Sequence, residues 1–90
     1  MKKYLIERHV PGIHKLSPEE YQEAAATSNA ALAQLAPRIQ WLESYVTEDQ
    51  TLCVYIAEDE AVIHEHSKLS GFPASKITEV GRKIDPMTAV

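Results

Sequence analysis

Apolar and polar residues alternate with two different periods along this chain, and these periods divide it into strands and helices. A period of two over Lys3 to Val10 predicts a first strand, which ends at the Pro11-Gly12 turn. Small and apolar residues at helical spacing then predict a helix from Pro18 to Leu35. Ser17 and Glu20 have the spacing of a capping box at its start.

The second half of the chain predicts two more strands, a helix and a last strand. Strands are expected at Ile39 to Thr47 and at Thr51 to Ala57, joined by a short hairpin loop. Three acidic residues then open a second helix, which runs to about Ser70 and stops at Gly71. The last predicted strand is Ile77 to Ile84.

The order β-α-β-β-α-β predicts an α+β domain of the ferredoxin-like kind, with residues 1–90 forming a single domain. Right-handed crossovers would place both helices on one face of a four-stranded antiparallel sheet. The other face is then left uncovered. We expect a second copy of the chain to cover it, which would give a homodimer of the dimeric α+β barrel type.

Composition narrows the classes of protein to which the chain can belong. Its 44% hydrophobic and 24% charged residues are ordinary for a globular protein. The formal net charge of −4 makes nucleic-acid binding unfavourable. No apolar run reaches the length of a membrane span, and polar residues interrupt the N-terminal stretch before it resembles a signal peptide. With a single cysteine, Cys53, an internal disulfide is excluded, and we expect a cytoplasmic protein without a membrane partner.

Strict alternation along the first three strands predicts which side chains lie on the uncovered face. The residues expected to face the helices are Tyr4, Ile6, Arg8, Leu42, Val46, Leu52, Val54 and Ile56. The residues expected on the uncovered face are Leu5, Glu7, His9, Trp41, Glu43, Tyr45, Cys53 and Tyr55. A slip of one residue in the first strand would reverse its assignment. Aromatic rings mixed with carboxylates are typical of a partner interface or a ligand pocket.

Glu7 and His9 are candidate metal ligands on this face. They are two residues apart on one strand, so their side chains point the same way from Cα atoms about 6.5–7 Å apart. Both side chains could therefore reach one ion, although polar residues of an interface would show the same pattern. His64 and His66 do not share a helix face at this spacing, so at most one of them would join ligands from elsewhere.

A second interpretation uses the aromatic and acidic residues of the same face. Glu43 lies between Trp41 and Tyr45, and a carboxylate in apolar surroundings is suited to general acid–base chemistry. This favours a small-molecule-binding protein or an enzyme of the dimeric barrel type. A purely structural module, in which Cys53 and Tyr55 merely pack, is the third possibility.

Several motifs resemble a family of small proteins first catalogued as a domain of unknown function. The resemblance covers nearly the whole chain and rests on residues 3–12, Leu16-Ser17-Pro18-Glu19-Glu20, Gln40-Trp41, Ser44-Tyr45-Val46, Cys53-Val54-Tyr55, Glu65-His66 and Gly71-Phe72-Pro73-Ala74. It implies a ferredoxin-like fold that forms a dimer. Some members of that family are described as nickel-binding proteins.

The resemblance extends to the candidate ligands. Glu7, His9 and His66 match positions of the family pattern, whereas His14 and His64 do not. The prediction is therefore a small, non-enzymatic protein that binds a divalent transition metal. Nickel is the expected ion, and Glu7, His9 and His66 are the expected ligands.

Overall fold

The computed structural model describes all residues from Met1 to Val90 and shows the predicted ferredoxin-like α+β fold. Its strands are β1 Lys2–His9, β2 Ile39–Val46, β3 Gln50–Ala57 and β4 Lys76–Val80, and its helices are α1 Pro18–Leu35 and α2 Glu60–Ser70. The sheet has the order β2-β3-β1-β4, and all neighbouring strands are antiparallel. Two short 3₁₀ helices lie at Ile13–Lys15 and Pro86–Ala89.

Side-chain caps define the start of both helices, and a glycine ends the second. At the start of α1 the Ser17 hydroxyl accepts a hydrogen bond from the Glu20 amide, and the Glu20 carboxylate accepts one from the Ser17 amide, which confirms the capping box. Asp59 caps α2 by accepting from the amide of Val62 at 3.0 Å. Gly71 ends α2 with φ at 81°, a conformation that glycine adopts without strain.

The hydrophobic core lies between the two helices and one face of the sheet. Its buried members are Tyr4, Ile6, Leu35, Ile39, Cys53, Tyr55, Ala57, Val62 and Ile63. Both helices therefore pack on the same face, as right-handed crossovers require. Neither helix packs on the opposite face, called the open face below, which carries Leu5, Glu7, Leu52, Val54 and Ile56 at half-buried positions.

The sidedness predicted for β1 is confirmed, and that predicted for β3 is wrong. Tyr4, Ile6 and Arg8 of β1 are buried toward the helices. In β3, however, Cys53 and Tyr55 are buried in the core, and Val54 lies on the open face. The residues of this strand from Leu52 onward are apolar or weakly polar on both sides, so no charged residue marks the solvent side of the alternation.

A β-bulge in β2 explains the remaining error. The strand pairs Trp41 with Tyr55 but Glu43 with Val54, so Leu42 is an extra residue. The bulge separates Trp41, which packs against the core, from Glu43 and Tyr45, whose β3 partners lie on the open face. Strict alternation had placed all three on one side, and had placed the exposed Leu42 inward.

The end of the chain differs from its prediction in one respect. Strand β4 stops at Val80, short of the predicted Ile84, because it pairs with β1 only from Lys3 to Glu7. No helix of this chain combines the length and the apolar character that crossing a membrane would demand.

Candidate functional site

The last three residues of β1 place ionisable side chains on both sides of the sheet. Alternation sends Arg8 toward the helices and sends its neighbours Glu7 and His9 to the open face. The two sides therefore present different chemistry: a guanidinium on the helix side, and a carboxylate with an imidazole on the open side.

The pair on the open face is accessible and lightly constrained. The Glu7 side chain is 30% exposed, and one of its oxygens lies 4.0 Å from Nζ of Lys76 on the neighbouring strand. His9 is exposed, and its backbone amide donates to the Ser75 hydroxyl at 3.0 Å. Nothing in these contacts holds either side chain away from a shared ligand.

His66 lies on the other side of the sheet. It is fully buried, its Nε2 is 3.2 Å from the hydroxyl of Ser28, and its ring lies 5.5 Å from that of Tyr55. Burial, helped by the nearby charge of Arg8, lowers the pKa of His66 from its ordinary value and so favours the neutral ring.

The predicted set of three ligands is therefore split between the two sides. Glu7 and His9 share the open face, but the sheet separates them from His66, so the three cannot hold one ion within a single chain. No cluster of three His, Cys, Asp or Glu side chains with metal-binding geometry occurs in the chain. His14 and His64, which the family pattern does not include, are both exposed.

The five residues predicted for a pocket or interface are divided in the same way. Glu43 and Tyr45 lie on the open face, where the Tyr45 hydroxyl donates to the Glu43 carboxylate and the pKa of Tyr45 is raised by that contact. Trp41, Cys53 and Tyr55 lie on the helix side. Of the aromatic and acidic residues expected on the uncovered face, Glu7, Glu43 and Tyr45 therefore lie there, and Trp41 and Tyr55 do not.

The three displaced residues line a cavity of about 350 Å³ between α1 and the sheet. Arg8 also lines it, only 4% exposed. From α1 the cavity receives mainly small side chains, which are Ala24, Ala25 and Ser28. The volume follows from this, because alanine and serine do not fill the space that leucine would occupy at the same positions.

The cavity was not predicted, although the sequence contains two signals for it. One is Arg8, an arginine at an inward position of β1, because burying a charge without a partner is costly. The other is the run of alanine and serine on the buried side of α1.

Comparison with known proteins identifies the family. Residues 4–80 match the profile of the family described as nickel responsive protein SCO4226-like. The fold also resembles the crystal structure of SCO4226 from Streptomyces coelicolor A3(2), with a TM-score of 0.71 and 15% sequence identity over 91% of this chain and 99% of that chain. Comparison with curated sequences finds no significant match. Because the profile spans most of its length, the chain belongs to the SCO4226-like family of nickel-responsive-type proteins.

Proposed function

We propose that this protein binds nickel or a similar divalent transition metal ion on the open face, and that Glu7 and His9 supply ligands. The observation that carries the proposal is that both side chains project from the same side of β1, two residues apart. The description of the family as nickel responsive supports the choice of ion.

The donor set is suitable in kind but incomplete in number. Carboxylate and imidazole are common ligands of nickel, copper and zinc, and nickel commonly takes four or more donors. One chain offers two on this face, so water or a second copy of the chain would supply the others. The charge of Lys76 beside Glu7 opposes a cation, but this ion pair is long and exposed, and it is therefore weak.

A second copy of the chain is the proposed partner on the open face. Leu52, Val54 and Ile56 of the central strand β3 lie on this side, and Leu5 of β1 lies next to Val54. A strand with apolar residues on both sides is typical of a sheet covered on both faces. Pairing of two sheets through this aliphatic surface would remove it from water and would bring a second Glu7 and His9 into the assembly.

Calorimetric titration of metal-stripped, untagged protein with nickel chloride tests the metal. We expect binding well below 1 mM, and we expect Glu7→Gln and His9→Gln each to weaken it by at least about 10-fold, or roughly 1.4 kcal/mol. His14→Gln is the matched control, because His14 is exposed outside the strand, and it should bind as the wild type does. Lys76→Ala should strengthen binding by removing the opposing charge.

Two outcomes would contradict the proposal. The first is the absence of nickel uptake below about 1 mM, which corresponds to only about 4 kcal/mol of binding free energy. The second is uptake that survives in the Glu7→Gln/His9→Gln double variant, because the metal would then be held elsewhere. Light scattering on the same samples gives the mass in solution and tests the dimer separately.

A further inference from the structure

The cavity on the helix side has the size and lining of a small-molecule site. Its volume of about 350 Å³ falls in the range of ligand pockets. An engineered apolar cavity of about 150 Å³ holds benzene, so this one can take a ring with a short chain. Its apolar walls come from Val10, Ile13, Tyr21, Trp41, Tyr55 and Phe72.

Arg8 supplies the cavity with a buried positive charge that the protein does not neutralise. Its Nη1 donates to the carbonyl oxygens of Pro73 at 2.8 Å and Phe72 at 3.2 Å, and it lies 3.2 Å from the hydroxyl of Ser67. These contacts fix the guanidinium in place. Its Nη2, however, is buried without any hydrogen-bond partner, and Arg8 takes part in no ion pair.

A fixed, buried guanidinium with an unpartnered Nη2 is suited to binding an anion. A buried guanidinium charge without a counter-charge is costly. An anion that accepted a hydrogen bond from Nη2 would satisfy the orphaned donor and offset the charge together. The ring of Tyr55, 5.8 Å from the guanidinium carbon, stabilises the cation but supplies no negative charge.

The other polar groups of the cavity indicate what kind of anion fits. Apart from Arg8, the lining residues that carry a polar group are Ser28, Ser44, Thr51, Tyr21, Tyr55, Cys53 and Trp41. The Tyr21 hydroxyl and the Trp41 indole N–H already donate to Ile13 and Ser44. No second cation and no carboxylate lines the cavity. A single positive charge in apolar walls matches a single negative charge on an apolar body. A phosphate would bring nearly two charges and three oxygens to one free donor nitrogen.

We propose that this cavity binds a small organic monocarboxylate with an aromatic or branched apolar body, and that Arg8 recognises the carboxylate. The site is separate from the proposed metal site, because the sheet lies between Arg8 and the pair of Glu7 and His9. Each proposal can therefore fail without the other.

Binding is tested on metal-free protein with phenylacetate, 3-phenylpropionate and 4-methylpentanoate. Phenylacetamide is the neutral probe of matched shape, and inorganic phosphate is the anion without an apolar body. Binding is followed by calorimetry and by the NMR signal of the indole N–H of Trp41, the only tryptophan, which lines the cavity. At least one acid should bind at or below millimolar concentration, and its amide should bind at least 10-fold more weakly.

Two variants locate the binding without disturbing Arg8, whose loss could unfold the chain. Ala25→Leu fills the cavity from α1 and should weaken binding of the acid at least 10-fold. Ala26→Leu adds the same group to the next, exposed residue of the helix and should leave binding unchanged. Circular dichroism and a thermal melt confirm that both variants are folded.

The proposal is overturned if no acid binds up to about 10 mM, or if acid and amide bind equally, because Arg8 would then have no part in recognition. It is also overturned if phosphate competes as strongly as the acids, or if Ala25→Leu and Ala26→Leu behave alike. Nickel binding in Ala25→Leu should match that of the wild type, whatever the result with the acids.

Discussion

The two faces of the sheet are both apolar near their centres, but they differ in what covers them and in the charge at one end. On the helix side, Ile6 and Tyr55 are buried, and the nearest charge is the cation of Arg8. On the open side, Val54 and its aliphatic neighbours are half-buried, and the nearby strand end carries Glu7 and His9. Strand β1 thus presents the hydrogen-bond-donating guanidinium of Arg8 to one side. To the other side it presents the carboxylate of Glu7 and the imidazole of His9.

This difference shows that the two faces of a single sheet can carry different chemical groups although they are formed by the same strands. Side chains on opposite sides of a strand belong to adjacent residues, so a change of one position moves a group from one chemistry to the other. Changes to matched residues on the two sides should therefore have different effects.

The largest effect is expected from truncating the core on the helix side. Ile6→Ala should lower the free energy of unfolding by about 2–5 kcal/mol, because the side chain is fully buried and leaves a cavity. Leu5→Ala, the neighbouring change on the half-buried open side, should cost less. Urea unfolding gives both values. Equal losses from the two changes would show that the faces are covered alike within one chain.

The second effect concerns the open face alone. Val54→Lys would place a charge in the proposed interface from each of the two copies, and we expect dimerisation to weaken at least about 100-fold, or roughly 2.7 kcal/mol. Light scattering over a range of concentrations measures this effect. Gln22→Lys adds the same charge to the exposed side of α1 and is the control. A wild type that is monomeric at all concentrations, or a Val54→Lys variant that stays dimeric, would contradict the proposed interface.

The elements of the fold could be predicted because the signals for each are local. The capping box at Ser17, the acidic start of α2 and the stop at Gly71 depend on neighbouring residues, and all appear as expected. Helix α1 even has the predicted bounds. The sidedness expected for β1 also agrees with the structure, although a slip of one residue had been left open.

The sidedness of the other strands could not be predicted in the same way. In β3 each position from Leu52 to Ala57 is compatible with burial, so only the helices that pack on the sheet decide which side becomes the core. In β2 the bulge at Leu42 changes the alternation partway along the strand, and no glycine or proline marks it. The cavity depends on both features, because they place Trp41, Cys53 and Tyr55 on the helix side rather than on the open face where they were expected.

A third and smaller effect separates the buried histidine from the exposed one on the same helix. Because the folded protein lowers the pKa of His66, the unfolded chain binds a proton more readily than the folded chain below about pH 6.5. The free energy of unfolding should therefore fall as pH drops through this range, by at most about 1.4 kcal/mol per pH unit from this group.

His66→Gln should remove this part of the slope, whereas His64→Gln, on the exposed side of α2, should retain it. Chemical denaturation at a series of pH values between 7.5 and 5 measures the slope in each variant. If His66→Gln and the wild type lose stability in parallel, the buried imidazole does not carry the linkage.

The smallest effect is spectroscopic and compares one tyrosine on each face. The pKa of Tyr55 is raised by burial, against the opposing influence of Arg8, whereas the pKa of Tyr45 is raised mainly by its hydrogen bond to Glu43. Glu43→Gln should therefore return the pKa of Tyr45 toward about 10 and leave that of Tyr55 unchanged, as read from ring-carbon NMR shifts during titration. A shift of Tyr55 instead would mean that the two faces are electrostatically coupled. If a second copy covers the open face, Tyr45 also becomes desolvated, and its pKa should then rise with protein concentration while that of Tyr55 stays fixed.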